Sequence, residues 1–179
     1  MLVSAMLLFV YTFFPYSFSI GIFLYPAVIG TGLRRSECVK LDRSHCDKIR
    51  NQLTVLSGKS GKDRLINIPD RARRALRDWL KLRGCEAGPL FCHMNKGGHV
   101  TRRRLTAQGI WYILRKRGGE AGAKSFSPHD LRRSCIAALL ANGSDVFVVQ
   151  QLAGHNDPKI TMRYDRRGEL AKRTAARRL

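Results

Sequence analysis

The chain has 179 residues with 33 Lys and Arg against 13 Asp and Glu, a formal charge of +20 and a pI near 10.8. That length supports one domain with a real core, or one domain and an appendage. So large a cationic excess points to a polyanionic partner, DNA or RNA. The five cysteines are odd in number and form no CxxC, and neither His45-Cys46 nor Cys92-His93 has zinc-finger spacing. These features argue against a disulfide scaffold or a structural metal and fit a reducing cytoplasm.

Residues 1–33 contain no Lys, Arg, Asp, Glu or His, so every one of those charges falls on residues 34–179. The opening MLVSAMLLFVYTFFPYSFSIGIFLYPAVIG is apolar, Phe-rich and broken by Pro15 and Pro26. It is long enough to span a membrane, but it lacks the cationic start of a signal peptide. It also runs without a linker into TGLRRSE. The favoured reading is therefore a buried core helix over 20–29, behind a leader at 1–19.

Residues 36–41 predict a short helix with Glu37 in its first turn, and 42–50 reads as a polar loop. Two short, partly alternating runs, 52–56 and 64–68, flank SGKSGKD and predict a β-hairpin with a basic tip. Asp70 is expected to cap a helix to Arg83, with Ala72, Ala75, Leu76, Trp79 and Leu80 facing inward. A short strand is expected at 89–92, then a Gly- and Arg-rich loop over 96–104. A helix over 106–117 would bury Ile110, Ile113 and Leu114.

In SPHDLRRSC, Ser127 suits an N-cap, Pro128 the first helical position and Asp130 a capping box, which predicts a helix ending at Asn142-Gly143. On a 3.6-residue period His129, Arg132, Ile136 and Leu140 share one stripe. A cation on such a face needs an anion, either a local carboxylate such as Asp130 or Glu37, or a ligand. Ser144 is expected to cap the next helix, which carries Val146, Val149 and Leu152 and ends at Gly154. Asp157-Pro158 starts a short helix through Tyr164, and 168–179 is a basic amphipathic tail. The fold class expected is α+β, mostly α-helical, with helices around a small antiparallel β-sheet.

Several polar residues sit at awkward places: Arg34 at the end of an apolar run, Lys59 at a hairpin tip, His129 and Arg132 on their stripe, His155 after a helix-ending glycine, and Tyr164 beyond a proline. Taken in order, TGLRRSE, GKSGKDR, HDLRRS and LAGHNDPKITMRY resemble the motif set of the tyrosine recombinases, or phage-type integrases, over about residues 20–167. The resemblance implies a tyrosine-recombinase catalytic domain at 20–179, with the family's N-terminal core-binding domain absent.

It also implies that Arg34 and Arg132 are catalytic arginines, Lys59 the hairpin lysine, His129 the partner of Arg132 in H-x-x-R, His155 the late histidine and Tyr164 the nucleophile. Glu37 would orient Arg34. Such a set suits DNA strand cleavage. Paired guanidinium donors stabilise a phosphorane without a metal or small-molecule cofactor. A histidine moves the proton of a tyrosine that ordinarily ionises near pH 10, and a lysine protonates the leaving 5′-oxygen. By resemblance, the partners are double-stranded DNA, three further copies in a homo-tetramer joined by tail exchange, and accessory DNA-bending proteins. An inactive DNA-binding remnant of a mobile element, a type IB topoisomerase and a membrane-anchored basic protein are the competing readings. The compact length and the GKSGKDR and LAGH patterns favour the recombinase over the topoisomerase.

Overall fold

The computed structural model describes Leu24, residues 31–56 and 63–120, Gly122, residues 127–165, Arg167, Gly168 and Ala176. The rest of the helix expected over 20–29, the hairpin tip with Lys59 and nearly all of the basic tail lie outside these residues. Leu24 itself is fully buried.

Helix α1 (Arg35–Lys40) follows Arg34, whose backbone N–H donates to Glu37 Oε2 at 2.8 Å. A 3₁₀ turn (Arg43–His45) leads to β1 (Cys46–Asp47). Antiparallel β2 (Gln52–Val55) and β3 (Arg64–Asn67) complete a three-stranded sheet in the order β1-β2-β3, with Leu53 paired to both Cys46 and Ile66. The two strands flanking the basic tip form as the alternation predicts. Strand β1 corrects the polar loop expected over 42–50. Asp47 Oδ1 accepts the N–H groups of Ile49 and Arg50, each at 2.9 Å, and Asn51 takes φ 54°, so the chain reverses directly into β2.

Helix α2 (Asp70–Arg83) buries Ala72, Ala75, Leu76, Trp79 and Leu80, the face its period predicts. The Trp79 indole N–H donates to Leu90 O at 2.8 Å, so a fully buried polar group is satisfied. Pro69, not Asp70, is the cap residue; Asp70 is the first helical residue and pairs with Arg73 at 2.9 Å. The strand expected at 89–92 lies later, as β4 (Cys92–Met94). The expected loop over 96–104 contains β5 (Val100–Arg104), which pairs antiparallel with β4 in a second, two-stranded sheet. Its three arginines are exposed, with Arg102 paired to Glu86 and Arg104 reaching Val39 O and Asp42, the composition of a protected edge strand, and this hid it from an apolar-alternation reading.

Helix α3 (Ala107–Glu120) buries Ile110 and Leu114, with Ile113 partly buried. Helix α4 (Pro128–Ala141) starts with the expected box: Asp130 N–H donates to Ser127 Oγ at 3.3 Å and Ser127 N–H to Asp130 Oδ2 at 2.9 Å. Helix α5 (Val146–Ala153) is capped by Asp145, one residue after the expected Ser144; its Oδ1 accepts from Phe147 at 2.8 Å and Val148 at 3.1 Å. Asp157 caps α6 (Pro158–Met162), and Tyr164 lies just beyond it.

The buried side chains form two clusters. The larger joins α1, both sheets, α2, α3 and Leu131. The smaller consists of Ile136, Leu140, Val149 and Ala153, with Leu139, Val146 and Tyr164 packed against it. Helix α4 contributes to both.

Candidate active site

The seam between the clusters holds the charged groups. Gly32 takes φ 64°, a left-handed turn that sends Leu33 into the core and leaves Arg34 at the surface, its side chain 42% exposed. Arg34 Nη1 donates to Glu37 Oε1 at 2.8 Å. The other oxygen of Glu37 accepts from Arg64 Nη2 at 2.9 Å.

Three guanidiniums from three elements meet the end of α5. Arg64 Nε donates to Leu152 O at 3.1 Å, Arg132 Nη2 to Ala153 O at 2.5 Å and Arg34 Nη2 to Gly154 O at 2.9 Å. These carbonyls lie at the helix C-terminus, where intrahelical partners run out and the dipole is negative, so cations suit them. Gly154 takes φ 63°, and a Cβ there would lie 2.9 Å from Arg64 Nη1. The glycine of LAGH therefore ends the helix and also admits the guanidinium.

Arg132 is 3% exposed. It bridges the seam, with Nη1 donating to Gly32 O at 2.6 Å and Nη2 to Ala153 O. Backbone carbonyls therefore hold it, and not Asp130 or Glu37, the local carboxylates that the sequence left open beside a ligand. Burial and then the charge of Arg34 pull its pKa down to about 10, which leaves it a cation at neutral pH. Burial acts to raise the Glu37 carboxyl, but the Arg64 side chain and the Arg34 backbone N–H together outweigh it, and the pKa is lowered. Burial, followed by the charges of Arg132, Arg34, Arg64 and His129, pushes the His155 pKa down to about 4. Its imidazole is neutral at pH 7.

His155 Nδ1 lies 2.9 Å from Thr161 Oγ1, and Thr161 is fully buried. The His155 and Tyr164 rings stack with centroids 6.1 Å apart and an interplanar angle of 26°. Arg133 lies over the other ring at 5.8 Å from the Tyr164 centroid. Tyr164 is within electrostatic reach of Arg132. His129 is exposed at the start of α4 and, with Arg34 and Arg132, lines a cleft of about 380 Å³ whose other walls include Leu33, Trp111 and Pro128. The structure thus gathers Arg34, His129, Arg132, His155 and Tyr164 around the α5 end. Lys59 lies outside the described residues.

Sequence reasoning passed over Arg64, Thr161 and Trp111. Arg64 closes GKSGKDR and could have been flagged as a charge at the start of an inward-facing strand. Thr161 and Trp111 carried no signal that separated them from helix packing.

A family model described as the phage integrase family matches residues 23–169. Among curated proteins, tyrosine recombinase XerA of Pyrococcus furiosus is 34% identical over 137 residues, covering 76% of this chain and 46% of that protein. Tyrosine recombinase XerD of Oceanobacillus iheyensis is 37% identical over 142 residues, 75% of this chain and 46% of that protein. The chain spans about half the length of the curated relatives it matches. Of solved structures, the XerA recombinase crystal structure superposes with a TM-score of 0.77 at 25% identity, over 98% of this chain and 60% of that one. The Tn1549 transposon integrase in complex with a circular intermediate DNA shares the fold, with a TM-score of 0.74 at 20% identity over 98% and 63%.

Proposed function

This chain belongs to the phage integrase family and has the fold of tyrosine recombinase catalytic domains, and on that premise we propose that it breaks and rejoins DNA strands through Tyr164. The observation that carries the reading is the convergence of Arg34 and Arg132 on the last carbonyls of α5, with His155 following directly and the Tyr164 ring stacked on it.

In the proposed reaction the Tyr164 oxygen attacks a backbone phosphorus, the P–O5′ bond breaks, and the 3′ end is held as a phosphotyrosine ester. His129 takes the phenol proton and later returns it, and Lys59 supplies the proton to the leaving 5′-oxygen. Arg34 and Arg132 face the non-bridging oxygens, where negative charge grows in the phosphorane. Thr161 donates to His155 Nδ1 and leaves Nε2–H for a phosphate oxygen. A 5′-hydroxyl then reverses the sequence, and because the ester keeps the bond energy no nucleotide cofactor enters.

The finer parts of the proposal are site-specific recombination on double-stranded DNA, a homo-tetramer exchanging residues 168–179, help from DNA-bending proteins, and action in the cytoplasm. The five cysteines, all free thiols, support the last. Residues 20–179 form the catalytic unit of the proposal and 1–19 a leader, a division supported by the matched span 23–169. Among the described residues no helix is long and apolar enough to cross a membrane.

The test is incubation with a pool of nicked duplex oligonucleotides of randomised sequence, followed by a denaturing gel. A covalent protein–DNA adduct is expected from the wild type and none from Tyr164→Phe. Retarded mobility on a native gel with no adduct would support the inactive DNA-binding remnant instead.

A further inference from the structure

Arg64 differs from Arg34, the exposed arginine assigned to phosphate. Its side chain is 14% exposed against 42% for Arg34, and its described contacts point inward. It donates to Glu37 Oε2 and Leu152 O, and its Nη1 and Cζ lie 2.9 and 3.0 Å from where a Cβ on Gly154 would sit. Resting on the reading above, we propose that Arg64 is a positioning residue for Arg34: it holds the Glu37 carboxylate and the end of α5 so that Arg34 keeps its exposed edge toward a phosphodiester.

Glu37 has two oxygens and two guanidinium partners, one on each. Arg64 takes one oxygen and shares the carboxylate's charge, so Arg34 is oriented through Glu37 without being its sole counter-ion. The cluster then sets three guanidiniums, Arg34, Arg64 and Arg132, against one carboxylate, and that surplus is what a phosphorane requires.

Without Arg64, Glu37 would be half-paired in a buried place and would draw Arg34 inward. Leu152 O would lose its donor, and the α5 end that also anchors Arg34 would loosen, while Arg132 keeps its second anchor at Gly32 O. A lysine could reach one partner but not span both, because it lacks the planar fork.

The experiment has two arms. In the first, initial rates of adduct formation on the nicked duplex pool are compared for wild type, Arg64→Ala, Arg34→Ala and the double variant. A displacement of this kind costs about a hundredfold, so Arg64→Ala should slow the reaction by about that factor. The double variant should be no slower than Arg34→Ala alone, because Arg64 acts through Arg34. Arg64→Lys, which keeps charge and stem, should recover only part of the rate and serves if the alanine variant does not fold. Fully multiplicative effects would overturn the proposal.

The second arm needs no turnover. Arginine modification by phenylglyoxal is mapped by mass spectrometry with and without orthovanadate. Vanadate should protect Arg34 in the wild type and lose most of that protection in Arg64→Ala or Arg64→Lys. Equal protection in all three, or none in the wild type, would contradict the positioning role. A wild type that shows protection but forms no adduct would count against the recombinase reading and leave the Arg64 assignment standing.

Discussion

The two halves of the site are built differently. The cationic half is wired into backbone: Arg132 ties Gly32 to Ala153 across the seam, and Arg34 and Arg64 hold the neighbouring carbonyls. The half that carries Tyr164, the proposed nucleophile, hangs from the five-residue α6, packed on a cluster of four buried side chains and linked to His155 through Thr161. Preorganised charge has to resist displacement, since its contribution to catalysis comes from needing no rearrangement at the moment of reaction. A nucleophile has to approach and withdraw. Substitutions in the first half should therefore damage fold and chemistry together, and those in the second should damage chemistry with little loss of stability.

The largest effect is expected at Arg132. Arg132→Ala leaves two buried carbonyls without their donor and should lower stability by about 3 kcal/mol, measured by chemical denaturation. It should also slow adduct formation by more than about a hundredfold. Stability unchanged within error would break the contrast, because Arg132 would then not hold the seam.

Next comes the pH dependence of His155. Its folded pKa of about 4 lies below the ordinary imidazole value, so the unfolded chain binds the proton more readily. Stability should be full above about pH 6.5 and should fall as pH drops toward 4, by roughly 1–3 kcal/mol. His155→Gln should flatten that slope, as read from denaturation midpoints across the range. An unchanged slope would assign it to other groups.

Smaller still, Thr161→Val keeps the buried shape but removes the His155 Nδ1 partner. It should cost about 1 kcal/mol in stability and slow adduct formation severalfold. The smallest effect is expected from Arg133→Gln, which removes the cation over the Tyr164 ring. About 0.5 kcal/mol of stability is at stake, and a larger loss of rate than Thr161→Val produces would mean that Arg133 belongs to the chemistry.

Much of this architecture was legible in the residues. Periodicity placed α2, α3 and α4 within a few residues, and the Ser127–Asp130 box marked the start of α4, because apolar spacing and capping chemistry are local signals. Strand β1 and strand β5 were not legible: one is two residues long and the other is mostly arginine, so neither alternates between apolar and polar. The residues at awkward places were visible as exceptions to patterning. What they bind was not, since Arg132 is satisfied by the carbonyls of Gly32 and Ala153, 100 and 21 residues away. Only tertiary folding brings those groups together, and Arg64 went unremarked for the same reason.

The most direct test of the central claim is to digest the covalent adduct formed on nicked duplex DNA and locate the nucleotide-bearing peptide by mass spectrometry. A phosphodiester linkage on Tyr164 is expected, with the 3′ end of the DNA attached. Attachment at any other residue, or through a 5′ phosphate, would contradict it.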